Sequence, residues 1–311
     1  MTSNELNVVN KHLRKIARRA SNPLGGVESK RALVDEYAAA HPSILEVNAK
    51  VTPVSFEKFQ GEWVSVDTSS LDRRILYLHG GSWMAGRVEK YRPHIARIAA
   101  ATSCAVLAID YRLAPENPFP KGLKDCVTAY EWMRCNGPEI SSAASSSYIM
   151  GDSAGGNLTL ATLLVLKDKQ IDLPDAAVAL SPATDMSWSS SSIKTNAKSD
   201  VALNAKLMPL VSYGYLQKKV DPKTPYASPL FGDLQGLPPI LLQVGDTEIL
   251  LDDAVGFVEK AQAAGVDATL EVFSGMPHVF QAFAPYLPEA NQALQRIGEF
   301  ITRIPDSMQN N

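Results

Sequence analysis

Cysteine is scarce in this chain. Its 311 residues hold three, Cys104, Cys126 and Cys135. An odd number at these spacings offers no disulfide framework and no paired zinc spacing, so no metal is expected and the thiols suit a reducing compartment. Cys104 falls in an apolar run and reads as core. Cys126 and Cys135 share an amphipathic stretch and are expected to pack on a sheet. Net charge is also small, since 30 Lys and Arg against 33 Asp and Glu leave −3. No basic block is interleaved with aromatics, which argues against nucleic acid as a partner. The one basic cluster, Lys11, Arg14, Lys15, Arg18 and Arg19, reads as a solvated helix face. Missing too is any run near the roughly 18 apolar residues that span a bilayer. Residues 1–10 lack the apolar stretch of a signal peptide. A cytoplasmic protein with no membrane partner is expected.

What is present is an alternation. Residues 1–45 are polar and helical in pattern, with a Pro-Leu-Gly-Gly break at 23–26. Residues 52–59 and 62–67 alternate as an antiparallel pair around Gln60-Gly61. Strand patterns at 74–79, 104–110, 147–150, 176–180, 239–244 and 268–273 then take turns with helical patterns at 91–101, 123–134, 157–167, 252–264 and 289–303. Such an order implies a mostly parallel sheet with helices on both faces, and ligands at the C-terminal ends of its strands. The stretch 185–226 breaks the rhythm. It opens serine-rich, at Ser187 and 189–192, and continues with an apolar segment at 203–216. A structureless loop of that length is uncommon in a compact domain. An inserted helical piece is expected instead, covering the site with help from the N-terminal helices. The expected division is a helical cap at 1–45 and 186–220, and a core at 46–185 and 221–311.

The chemistry is concentrated in Gly151-Asp152-Ser153-Ala154-Gly155, between an apolar strand pattern and a helix. A turn that tight puts the serine in a strained backbone conformation, and side chains two positions to either side would collide; glycine removes the collision. The hydroxyl is then held above the sheet at a helix N-terminus, where the amides favour negative charge. A serine hydroxyl needs a base. Of the five histidines, His12, His41, His79, His94 and His278, only His278 follows Ser153, and in this turn's fold the order is serine, acid, histidine. Between them the stretch 244–253 holds Asp246, Glu248, Asp252 and Asp253. Asp246 sits where a carboxylate would cap the turn, and Asp252 and Asp253 where a helix begins. Chain order alone leaves the acid open between Glu248 and Asp246, with Asp252 behind them. Upstream, His79-Gly80-Gly81-Ser82-Trp83 directly follows a strand, as a loop whose amides face an oxyanion does. The expected donors are the amides of Gly81, Ser82 and Ala154, with Gly80 in the same loop and His79 holding it.

Together these pieces resemble the hormone-sensitive-lipase family of α/β-hydrolases over about residues 50–300. The resemblance rests on Leu78-His79-Gly80-Gly81-Ser82-Trp83, Asp110-Tyr111-Arg112-Leu113-Ala114-Pro115-Glu116, Gly151-Asp152-Ser153-Ala154-Gly155-Gly156 and Pro277-His278. It implies a mostly parallel eight-stranded sheet with a helical cap. It also implies a carboxylesterase acting without cofactor on short to medium acyl esters or lactones. Two departures stand out. Ser82 replaces a third glycine, and Glu248 aligns with the family's usual aspartate, as in a subgroup using glutamate. On that alignment the triad is Ser153, Glu248 and His278. Trp83, Asp152, Leu207, Val211 and Val279 are expected at the pocket, and Arg112 with Glu116 as an ion pair. Family members often dimerise, so a homodimer is an expected partner arrangement. Rival expectations are an arylformamidase-like amide hydrolase and a non-catalytic small-molecule receptor on the same fold.

Overall fold

A computed structural model describes residues 3–21 and 26–305. Most of the expected break at 23–26 therefore lies outside the described residues. The chain opens with α1 (Asn4–Ala20) and α2 (Val27–Asp35). In α1 a stripe of Leu6, Val9, Leu13 and Ile16 is buried, while Lys11, Arg14, Lys15, Arg18 and Arg19 face solvent. The core then runs β1 (Lys50–Ser55), β2 (Gln60–Ser65), β3 (Ser70–Leu78), α3 (Val88–Thr102), β4 (Cys104–Asp110), α4 (Lys121–Cys135), β5 (Ser146–Asp152), α5 (Ala154–Asp168) and β6 (Ala176–Leu180). After β6 come α6 (Ser192–Thr195) and α7 (Met208–Leu216), so the irregular stretch carries short helices. The chain closes with β7 (Ile240–Gly245), α8 (Leu251–Ala263), β8 (Ala268–Phe273) and α9 (Pro288–Thr302).

The strands form one eight-stranded sheet in the order β1-β2-β4-β3-β5-β6-β7-β8. β1 and β2 are antiparallel to their neighbours, and the strands from β4 through β8 are mutually parallel. Because successive side chains alternate across a sheet, each strand feeds two cores. Ile75, Tyr77, Tyr148 and Met150 join α3, α9 and the α1 stripe on one face. Leu76, Leu78 and Ile149 join α4, α5 and α8 on the other. Strands buried on both faces read as continuous apolar runs, which is why these segments stood out.

The chain order reverses between β3 and β5. β4 lies to one side of β3 and β5 to the other, which makes a crevice at their carboxyl ends. Leu78 pairs with Gly151 in register, so the loop after β3 and the turn after β5 emerge side by side. The turns after β7 and β8 open on the same edge.

Three local expectations need correction. The hairpin turn falls before Gln60, where Phe56 N–H donates to Phe59 O at 3.0 Å. Gly61 lies inside β2 instead, because a side chain there would come within 2.6 Å of Ala108 O on β4. Cys126 is buried but Cys135 is exposed; about two and a half turns apart, they point to opposite faces of α4. Arg112 does not pair with Glu116. Arg112 is held by Asp125 of α4 at 2.6 Å, and Glu116 by Arg31 of α2 at 2.7 Å. Arg31 also donates to Met84 O at 2.8 Å, fastening α2 beside the loop after β3.

Candidate active site

Ser153 stands between β5 and α5 with φ 53° and ψ −116°, a conformation that costs a non-glycine residue about 1–3 kcal/mol. Its N–H donates to Leu180 O of β6 at 2.7 Å. The flanking glycines are required by close backbone approach. A side chain at Gly151 would lie 2.6 Å from Leu78 O, and one at Gly155 would lie 2.7 Å from His79 O and closer still to Leu78 O.

The structure brings Ser153, His278 and Glu248 into one hydrogen-bonded chain. His278 Nε2 is 2.9 Å from Ser153 Oγ, and His278 Nδ1 is 2.6 Å from Glu248 Oε2. The other Glu248 oxygen accepts from Gly245 N–H at 2.6 Å and Ser181 Oγ–H at 2.7 Å. Glu248 is 0% exposed and His278 3%, while Ser153 is half-buried. Burial by itself would depress the imidazole pKa. The charge and hydrogen bond of Glu248 and the charges of Asp200 and Asp152 together outweigh that, and the net shift is upward. The rival carboxylates serve elsewhere. Asp246 accepts from Gly275 N–H at 2.6 Å, Asp252 from Ser192 N–H at 2.8 Å, and Asp253 from Thr184 N–H at 2.7 Å.

The loop after β3 has left-handed backbone at three successive residues, with φ 119° at Gly81, 56° at Ser82 and 58° at Trp83. It is pinned from below. Tyr111 Oη–H donates to His79 O at 2.8 Å, and His79 Nδ1 bonds Gly80 O at 2.7 Å. Gly80 N–H donates to Asp152 Oδ1 at 3.0 Å, so Gly80 fixes the loop's position and its amide is already engaged. Asp152, expected at the pocket, lies beneath the loop instead. Its carboxylate takes Tyr77 Oη–H at 2.7 Å and Tyr91 Oη–H at 3.3 Å, and burial pushes its pKa up. The Asp110–Glu116 motif thus has a structural part: Tyr111 holds His79, and Asp110 accepts from Val88 N–H at 2.7 Å at the start of α3.

Trp83 is buried and stacks on Tyr215 of α7, with ring centroids 4.8 Å apart. Leu207 and Val211 are half-buried in the same apolar cluster. Val279 is buried, left-handed at φ 49°, and donates its N–H to Ser181 Oγ at 3.2 Å. Sequence reasoning missed Ser181, Tyr37, Asn196 and Asp200. Ser181 follows β6 directly, at the level of the other strand-end residues, and that position was its one signal. Tyr37, whose hydroxyl donates to His278 O, had none. Among the described residues no group of three or more His, Cys, Asp or Glu could hold a metal ion, and no helix is long and apolar enough to cross a membrane.

A strained serine elbow at the end of a central parallel strand, with a histidine after the last strand, defines the α/β-hydrolases, and the chain belongs to that class. A family model described as an alpha/beta hydrolase fold matches residues 75–282. Within the class it is a hormone-sensitive-lipase family carboxylesterase, and it hydrolyses esters. It is 34% identical over 274 residues to an esterase of Acinetobacter venetianus, covering 88% of each chain. It is 35% identical to an acetyl-hydrolase of Streptomyces hygroscopicus, covering 89% of this chain and 90% of that one. A solved esterase of the bacterial hormone-sensitive lipase family superposes with a TM-score of 0.89 at 41% identity, covering 98% of this chain and 99% of that one.

Proposed function

We propose that the chain cleaves short to medium acyl esters or lactones in two steps through an acyl-enzyme on Ser153. The observation that carries this reading is the continuous relay from Ser153 Oγ through both nitrogens of His278 to Glu248. His278 Nε2 takes the serine proton as the oxygen attacks the ester carbonyl. Glu248 keeps the other nitrogen protonated and stabilises the imidazolium. The amides of Gly81, Ser82 and Ala154 hold the oxyanion, each worth about 3–4 kcal/mol in the transition state. His278 then protonates the leaving alcohol. The same base later takes a proton from water, whose oxygen attacks the acyl carbonyl, and Ser153 leaves with its proton restored.

Residues 1–45 and 186–220 act as the cap. The Trp83–Tyr215 stack and the half-buried Leu207 and Val211 support an apolar acyl side of limited length. The name of the Streptomyces relative, an acetyl-hydrolase, points the same way. The test is a series of p-nitrophenyl esters from acetate to laurate, with mass spectrometry after treatment with an ethyl fluorophosphonate. Highest kcat/KM at C2 to C8 and a single adduct on Ser153 are expected. A preference for long chains or for matched anilides, or an adduct elsewhere, would overturn the reading.

A further inference from the structure

The serine-rich start of the inserted segment does more than begin a lid. Residues 190–200 lie along the turn that carries Glu248 and bind its backbone groups in succession. Asn196 Nδ2 donates to Asp246 O at 3.0 Å and to Glu248 O at 2.8 Å. Ser199 Oγ–H donates to Thr247 O at 3.1 Å, and Ser192 Oγ–H to Ile249 O at 2.7 Å. Asp200 Oδ2 accepts Ile249 N–H at 2.9 Å. Four consecutive carbonyls thus take bonds from side chains of one segment. A turn between a strand and a helix leaves such groups without regular partners, and buried backbone groups need them.

We propose that Asn196 and Asp200 are positioning residues for the acid: they hold the backbone of the Glu248 turn so that its carboxylate meets His278, and through them the covering segment sets the alignment of acid and base. The inference rests on Glu248 being the triad acid. Asp200 is itself fixed, its Oδ1 accepting from Ala202 N–H at 2.9 Å and Leu203 N–H at 2.8 Å. A shift of the segment would therefore be transmitted to Ile249. The charges facing His278 are Glu248 on this turn, Asp200 on the covering segment and Asp152 at the end of β5. On the remaining side the Tyr37 hydroxyl bonds the His278 carbonyl. Loosening the turn weakens the first of these, so the imidazole becomes easier to deprotonate.

The experiment compares Asn196→Ala, the isosteric Asn196→Asp, Glu248→Gln and Glu248→Gln/Asn196→Ala on p-nitrophenyl butyrate, with Lys198→Ala as a neighbouring exposed control. A misplaced catalytic group costs up to about a hundredfold, so both Asn196 variants should lose about tenfold to a hundredfold in kcat with KM within about threefold. The acid limb of Asn196→Ala in kcat/KM should move to lower pH. The double variant should be no slower than Glu248→Gln alone, because a residue acting through Glu248 has nothing left to position. Unchanged kcat, a loss confined to KM, or losses that multiply in the double variant would overturn the proposal. Should the Asn196 variants fail to fold, Asp200→Asn and Ser199→Ala are read by the same criteria. Wild-type turnover in Glu248→Gln would overturn the acid assignment itself, and this proposal with it. Losses in Glu248→Gln beside intact Asn196 variants would sink the proposal alone.

Discussion

The serine turn and the acid turn stand at the ends of two strands of one sheet, yet they are held by opposite means. Around Ser153 the backbone is fixed by close contact. Gly151 and Gly155 allow the turn to lie against Leu78 and His79 with no room for a side chain, and the strain at Ser153 is borne by that packing. Around Glu248 the backbone is fixed by polar side chains, with Asn196, Ser199, Ser192 and Asp200 each bonding a main-chain group of the turn. The first arrangement is steric and close to all-or-none. The second is a sum of hydrogen bonds, each worth about 1 kcal/mol net, and it can be weakened in steps.

The sharpest break separates chemistry from scaffold. Ser153→Ala should lower kcat by on the order of 10⁴ or more while thermal unfolding stays where it is, because the elbow needs the glycines and not the hydroxyl. Steady-state kinetics beside a melting curve checks both halves. Glu248→Gln should cost on the order of 10⁴ in kcat, by leaving the imidazole without its anionic partner. Asp246→Ala, which removes the bonds from Gly275 N–H and Ser274 Oγ–H, should stay within about thirtyfold, near the value of two hydrogen bonds of about 1 kcal/mol each. The reverse ranking would show that the acid has been misassigned.

Gly155→Ala tests the steric half. Overpacking typically costs about 1–3 kcal/mol, and here the obstacle is backbone that cannot rotate away. A lowered melting temperature together with a kcat loss of about a hundredfold, as expected for a misplaced nucleophile, would fit the contrast. Near-wild-type stability and rate would show that the elbow tolerates what its contacts forbid.

These two modes explain what could be read from the sequence. Strands β4 and β6 and the helices around them were legible because burial on both faces leaves an unbroken apolar signature. Ser153 and the loop at 79–83 were legible because steric crowding selects glycine at fixed spacing. His278 followed from chain order. The polar cradle was not legible: Asn196 and Glu248 are 52 positions apart, and a serine-rich stretch looks the same whether it faces water or a backbone turn. Asp152 misled for a related reason. Its place beside the nucleophile suggested contact with substrate, whereas its buried carboxylate faces down to Tyr77 and Gly80. Arg112 and Glu116 were paired from proximity along the chain, but each turns to a different helix.

The pH profile reads the polar half directly. Burial favours the neutral imidazole, Glu248, Asp200 and Asp152 together oppose it more strongly, and the net pKa of His278 is raised. A base must be neutral to accept the serine proton. The acid limb of kcat/KM should therefore lie above the ordinary histidine value of about 6.5, with activity lost as pH falls through it. In Glu248→Gln the largest raising influence is gone, and the limb should move to lower pH. A flat profile between pH 5 and 8, or a limb unmoved in the variant, would argue that no histidine coupled to Glu248 is the base.

The smallest effect compares the two segments that bond the backbone around Glu248 and His278. The inserted segment holds the acid through several bonds, whereas the N-terminal segment reaches the base through the Tyr37 hydroxyl on the His278 carbonyl. Burial and the charges of Glu248, Asp200 and Asp152 keep that phenol well above its ordinary pKa, so it stays a donor across the working pH range. Tyr37→Phe removes the bond and keeps the ring, which lies 5.6 Å from Phe283. The loss of one net hydrogen bond, about 1 kcal/mol, predicts a kcat drop of about fivefold with KM little changed. The acid limb should stay in place, because the bond is to the backbone and leaves the Glu248–His278 contact intact. A shift of that limb comparable to the one in Glu248→Gln would mean that the N-terminal segment, too, acts on the acid–base pair, and the contrast between the two segments would fail.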